Sequence, residues 1–175
     1  MALSLFRKSP ASGPVFTVYA ALVAQSRQPR FYADWGVPDT VTGRFDMISL
    51  HLVLLFRRLK PESAAARAFS QAVFDLFFKD MDRSLREMGA GDLAVPKKIR
   101  NMGNVFFGLL ASLDTALVTG EPEAVAEVLR RNIYADIDAA SALPLAAYLI
   151  AEAARLAGQP AARIIAGQLA LGQAA

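Results

Sequence analysis

Apolar residues recur along this chain at spacings of three and four, and no run alternates apolar with polar over the length of a strand. The pattern predicts helices throughout. Phe16, Tyr19 and Val23 set the register of a first helix within 15–24, preceded by a flexible arm, residues 1–14, that has two prolines and no apolar period. A second helix is expected over 43–60, capped by Asp39 or Thr42. From Met47 to Phe56 it is apolar all round except at Ser49 and His51, which marks it as the enclosed centre of a bundle. After Pro61, a third helix runs from Ser63 to Met88, a span of about 40 Å at about 1.5 Å per residue. Its core face is predicted to be the arc of Phe74, Phe77, Phe78, Met81, Leu85 and Met88. Gly89 stops that helix, Gly91 and Asp92 turn the chain, and Pro96 opens a fourth helix striped by Ile99, Met102, Phe106, Leu110, Leu113 and Leu117. Gly120 and Pro122 separate it from a fifth, with Val125, Val128, Leu129 and Ile133 inward. Leu145, Leu149 and Leu156 mark a sixth, ended by Gly158-Gln159-Pro160. An alanine-rich seventh carries Ile164, Ile165 and Leu169 before a frayed C-terminus at 172–175. The expected architecture is an all-α, single-domain helical bundle of about seven helices occupying 15–171.

Charges divide the long third helix further. Asp75, Lys79, Asp82 and Arg86 form a row of alternating sign, the pattern of a solvated face. Asp80, Arg83 and Glu87 instead border the apolar arc, where an unpaired charge is costly, so they are expected to find interhelical partners. The candidate structural ion pairs join Asp80 or Glu87 to Arg44, with Arg83 in the same set. The three aspartates do not converge on a metal ion, because Asp80 points about 140° away from Asp75 around the helix. Asp136 and Asp138 form the only other acidic cluster.

Composition narrows the chemistry. With no cysteine and one histidine, thiolate nucleophiles, iron–sulfur clusters, Cys-ligated zinc and multi-histidine metal sites are excluded. His51 lies inside the most apolar helix and is expected to be a hydrogen-bonded core residue. GAGD follows a helix and lacks the lysine of a phosphate loop. No cofactor, metal or catalytic group is nominated, so an enzyme is not expected. The net charge of +3 arises from interleaved acids and bases, so specific nucleic-acid binding is not expected either. Arg7 and Lys8 ahead of 15–24 imitate a signal peptide, but Ser, Pro and Gly interrupt the apolar segment. The later uncharged runs read as too short to cross a bilayer, and no transmembrane segment is expected.

Two stretches stand out as candidate partner-binding surfaces. Phe31, Tyr32 and Trp35 lie in a loop between breakers, so they either tuck under the domain or meet a partner. Lys97, Lys98 and Arg100 open a helix, where cations oppose the macrodipole, and so invite a negatively charged partner. With Glu87 and Asp92 they form an acidic-to-basic edge. Arg57, Arg58 and Lys60 close a helix, where the dipole alone accounts for them.

The stretches YAALVAQSRQPRFYADWGVPDTVTGRFDMISLHLVLLFRRL (19–59) and FDLFFKDMDRSLREMGAGDLAVPKKIR (74–100), with weaker echoes in LRRNIY (129–134) and LAAYL (145–149), carry a family resemblance. The chain resembles the ubiquinol-cytochrome c chaperone family, assembly factors of the cytochrome bc1 complex. The resemblance implies a helical, non-enzymatic chaperone that binds newly made cytochrome b, or another bc1 subunit, and works with a second assembly factor. The beginning of the chain lacks the Arg-rich, Ser-rich character of a mitochondrial presequence and looks like that of a bacterial member. The expected location is therefore the bacterial cytoplasm, peripheral at the inner face of the cytoplasmic membrane. The alternative reading is a peripheral membrane- or ribosome-surface adaptor without a dedicated client, docking through Lys97, Lys98, Arg100 and the Arg57-Arg58-Lys60 cluster. Phe107-Gly108-Leu109 stands where the family pattern has aromatic-Gly-Arg, which implies that a contact made by that arginine is missing here.

Overall fold

Among the described residues, eight helical segments follow one another: α1 (Gly13–Ser26), α2 (Pro29–Ala33), α3 (Val41–Leu59), α4 (Ala64–Glu87), α5 (Val95–Thr119), α6 (Pro122–Asn132), α7 (Ala142–Ala157) and α8 (Ala161–Ile165). The computed structural model describes residues 13–134 and 142–174, and no strand occurs among them. Most of the expected N-terminal arm, and the Asp136–Asp138 cluster, lie outside the described residues. The described residues form an all-α fold, with six long helices and two of five residues among them.

The enclosed helix is α3, as its unbroken apolar run requires. It packs against α1, α4, α5 and α7, and Met47, Leu50, Leu52, Val53, Leu54 and Leu55 are all buried. Each such side chain contributes roughly 1.5–3 kcal/mol on full burial. The cap is Thr40, one residue beyond one of the expected positions, and its hydroxyl accepts from the Gly43 N–H at 3.1 Å. Asp39 is instead engaged by Arg44 at 2.8 Å.

His51 is a core residue held by hydrogen bonds. The Met47 carbonyl can only accept, so the Nδ1 proton points to it at 2.7 Å. Nε2 is then an acceptor for the Tyr148 hydroxyl at 2.8 Å, and that hydroxyl oxygen accepts from Gln25 at 2.7 Å. Burial pushes the imidazole pKa down to about 4, against about 6.5 in an unfolded chain. Below about 6.5 the unfolded state takes up a proton that the folded state refuses, so this contribution to stability is complete above that pH and is lost as pH falls toward 4. Between pH 7 and 5 the wild-type chain should lose about 2 kcal/mol more than His51→Gln in urea denaturation. Equal losses would mean that His51 is not held neutral.

The C-terminal segment is fastened, not frayed. Only α8 is helical there, and the chain after it returns to the bundle as an extended strap. The buried Glu152 carboxylate accepts the Gly172 N–H at 3.0 Å, Gln25 donates to the Gly172 carbonyl, and Gln28 accepts the Ala174 N–H at 3.0 Å. Sequence reading saw a weak helix in this alanine-rich run because the carboxylate and amides that hold it are distant in sequence.

The core face of α4 is turned relative to the expected arc. Ala66, Phe69, Val73, Phe77 and Leu85 are buried, while Phe74, Phe78 and Met81 are half-buried and Met88 is exposed. This rotation brings Asp80 against α1, where it accepts the Tyr19 hydroxyl at 2.9 Å and pairs with Arg83. Asp80 thus gains an interhelical partner, but it is a tyrosine. The expected pairing of Arg44 with Asp80 or Glu87 does not form: Arg44 reaches Asp39, and Glu87 pairs at the surface with Arg83 at 3.8 Å.

Candidate functional site

The α4–α5 pair carries a continuous aromatic seam that runs from the core to solvent. Phe45 stacks on Phe77 (centroids 5.4 Å apart), Phe77 meets Phe78 at 5.0 Å, and Phe78 meets Phe74 at 4.7 Å. Phe74 then touches Phe106 and Phe107 at 5.5 and 5.6 Å, and Phe56 of α3 closes on Phe106 at 6.1 Å. Phe77 and Phe106 are fully buried, whereas Phe107 is 55% exposed.

Where this seam meets solvent it forms a groove of about 480 Å³ between the C-terminal end of α3, the first half of α4 and the second half of α5. Phe56, Phe74, Phe106, Phe107 and Leu110 make it apolar, with Arg67 and Gln71 on the α4 side. Arg57 and Lys60 both pair with Asp114 on α5, so its charged rim is fixed by ion pairs that join two helices.

Helix α5 supplies one wall of the groove. By length and composition α5 is long and apolar enough to cross a membrane, which corrects the expectation that no segment has this character, and its apolar window is only 28% buried. Helix α5 packs on α3, α4 and α6 and still leaves Val105, Phe107 and Val118 exposed. Val105 and Phe107 lie on nearly opposite sides of α5 and line two different grooves. Leu109 is buried in the core, so at this position the chain uses a packing residue.

The sequence-predicted surfaces are distributed differently. Phe31 and Trp35 are buried, in contact with each other at 5.5 Å and with Tyr148 at 5.1 and 5.9 Å, and the Trp35 carbonyl accepts the buried Tyr134 hydroxyl at 2.8 Å. Tyr32 is half-buried and donates to the Ser26 carbonyl. The aromatic loop is therefore tucked under the domain, and its two largest side chains do not form a contact surface. Gly89 ends α4 with φ +84, and the Ala90 N–H returns to the Leu85 carbonyl as a glycine-terminated helix requires. Arg86 then ties Asp82 to Asp92, so Asp92 fastens the turn. Lys97, Lys98 and Arg100 are exposed and make no ion pair among the described residues, beside Leu93 at 97% exposure. Arg58 is engaged internally, donating to the Leu156 and Gln159 carbonyls and to Glu62, which removes it from the adaptor surface proposed for 57–60.

Two features escaped the sequence reading. The groove was signalled by excess: Phe107 lies off the predicted α5 stripe beside Phe106 and Leu110, which lie on it, so a single core contact leaves apolar surface uncovered there. Asp46 was signalled by position, since it precedes Leu50 and Val53 by four and seven residues and so shares their buried side of α3. It is 6% exposed, and burial pushes its carboxyl up to about 7.

The chain is similar to a solved structure, the crystal structure of the Cbp3 homolog from Brucella abortus, with 38% identity, a TM-score of 0.86, and coverage of 94% of this chain and 91% of that one. It is also 21% identical over 116 residues to the ubiquinol-cytochrome-c reductase complex assembly factor 1 of Xenopus laevis, covering 66% of this chain and 58% of that relative's length. The family model described as ubiquinol-cytochrome C chaperone matches residues 33–171, a range that takes in the central helix and the aromatic groove, and the chain belongs to that family.

Proposed function

We propose that this chain is a non-enzymatic assembly chaperone of the ubiquinol–cytochrome c reductase complex, and that its client is an apolar segment of a membrane subunit, cytochrome b, seated in the α4–α5 groove. The observation that carries the reading is the exposure of α5's apolar surface beside an aromatic groove with a charged rim. An apolar segment awaiting its place in a membrane complex needs a partner that shields it from water, and aromatic side chains provide large contact area at low entropic cost. The fixed Arg57–Asp114–Lys60 rim supplies orientation without presenting an unpaired buried charge.

A second reading, a peripheral adaptor on an anionic membrane or ribosome surface, is favoured by the exposed cations Lys97, Lys98 and Arg100, unpaired among the described residues, beside Leu93. The two are separable. Affinity purification from a respiring host should recover cytochrome b, with or without a second assembly factor, in a manner that resists raised salt because the contact is apolar. Recovery only of anionic vesicles or ribosomes, abolished by salt and by charge reversal at 97, 98 and 100, would support the adaptor and remove the client reading.

A further inference from the structure

A second groove, of about 640 Å³, opens at the N-terminal end of α3, against the last turn of α4 and the first half of α5. Phe45, Leu85, Met102 and Val105 give it apolar walls, with Thr42, Lys98 and Asn101 also lining it, and Asp46 is its one acidic lining residue. The carboxyl of Asp46 lies in a residue 94% removed from solvent, and among the described residues it has neither a hydrogen bond nor an ion pair. The carboxyl is not sealed off, since the Ser49 hydroxyl alone is a fully buried side-chain polar atom without a partner among the described residues, so the Asp46 oxygens keep a small accessible face that a donor can reach.

The chain's own cations do not supply that donor. Arg44, two residues before Asp46, reaches away to Asp39, and Arg86, at the end of α4, is held by Asp82 and Asp92. Lys98 lines the groove but is exposed and makes no ion pair with Asp46. A single buried acid in a largely apolar groove fits a long side chain with an aliphatic stem and a cationic head. An arginine matches best, since its guanidinium can meet a carboxylate with two parallel hydrogen bonds while its stem lies on apolar walls.

We propose that this groove is a receptor for a basic side chain, an arginine flanked by apolar residues, presented by a partner protein and seated on Asp46. This site is separate from the aromatic groove and does not depend on the client reading, since Phe107 takes no part in lining it. It gives the bundle two points of attachment of different chemistry, one apolar and one charge-selective, at opposite ends of α3.

The test is a titration of the full chain with the acetylated, amidated pentapeptide Leu-Leu-Arg-Leu-Leu, and with the same peptide carrying citrulline, a neutral isostere, in place of arginine. Binding is read by the carboxyl carbon resonance of Asp46 and by calorimetry. The arginine peptide should bind at least ten-fold more tightly and move the Asp46 resonance. Asp46→Asn, which keeps shape and removes charge, should abolish the preference while leaving the circular dichroism spectrum unchanged. Lys98→Ala should preserve or strengthen it, and Phe107→Glu should leave it intact, so failure here would leave the client reading standing. Equal binding of the two peptides, or an arginine preference that survives in Asp46→Asn, would overturn the proposal. So would an Asp46 resonance that responds to Lys98→Ala as to loss of its partner, because the groove would then be filled by the chain's own lysine.

Discussion

Gly43→Ala is expected to destabilise the chain by about 3 kcal/mol or more, a loss of the size reserved for overpacking and backbone clashes. A Cβ at this position would stand 1.9 Å from the Pro38 carbonyl oxygen and 3.0 Å from its carbon. Both are backbone atoms, so no rotamer change relieves the contact. The Pro38 oxygen also accepts the Thr40 N–H at 2.8 Å, and Thr40 is the residue that caps α3. Moving Pro38 therefore disturbs the cap of the central helix and the loop that carries the buried Trp35 and Val37. The same geometry explains the spacing in VPDTVTGRFD: the proline fixes the turn, the threonine caps, and the glycine admits the carbonyl to the first turn of the helix. In a protein of this size about 3 kcal/mol corresponds to roughly 6–12 °C in melting temperature. Gly108→Ala is the matched control, since a Cβ there meets nothing within 4 Å. In that helix interior it should be neutral or stabilise by up to about 1 kcal/mol. If Gly43→Ala melts with the wild type, the close approach of Pro38 does not exist in solution.

Phe107→Glu is expected to abolish client capture while leaving the fold nearly intact. Phe107 is more exposed than buried, so the substitution forfeits edge contacts with Phe74 and Phe106 but no core side chain. A carboxylate in the groove would have to be desolvated by an apolar client, and loss of a central aromatic anchor alone typically costs about 2 kcal/mol or more of binding, roughly 30-fold in affinity. In a strain lacking the native gene, the variant should fail to restore cytochrome b and bc1 absorbance, although it accumulates and melts close to wild type. Charge reversal at Lys97, Lys98 and Arg100 should leave restoration largely unchanged under the same reading. The opposite pattern would move the functional surface to the turn after α4.

Apolar pattern makes the bundle, its central helix and most boundaries legible from the sequence: the unbroken apolar run marks α3 as enclosed, and the buried half of α5 follows a 3.6-residue period. The glycine stop at Gly89 and the proline start at Pro122 were legible because each rests on a local backbone constraint. What could not be read locally was any feature whose partner is distant in sequence. For Phe31 and Trp35 the pattern leaves open tucking or partner contact, and Tyr148 and Tyr134, from the other half of the chain, decide for tucking. Gly172 looked frayed until Glu152 accepted its N–H. The functional groove was hidden for a related reason. Phe74 was assigned to the core because it is aromatic and on the right arc, yet the helix turns so that Val73 and Phe77 take the interior and Phe74 faces the groove. Rotation of a helix by part of a turn is decided by the sum of its contacts, which a one-dimensional pattern does not contain.

The central claim is that the aromatic groove is where a bc1 membrane subunit is held. Site-specific photo-crosslinking in a respiring host tests it most directly, with benzoylphenylalanine at position 107 and, as the comparison, at position 16, where Phe16 is a similarly exposed aromatic on α1. The account predicts a cytochrome b adduct from position 107 and none from position 16. An adduct absent at 107, or equal at both positions, would contradict it.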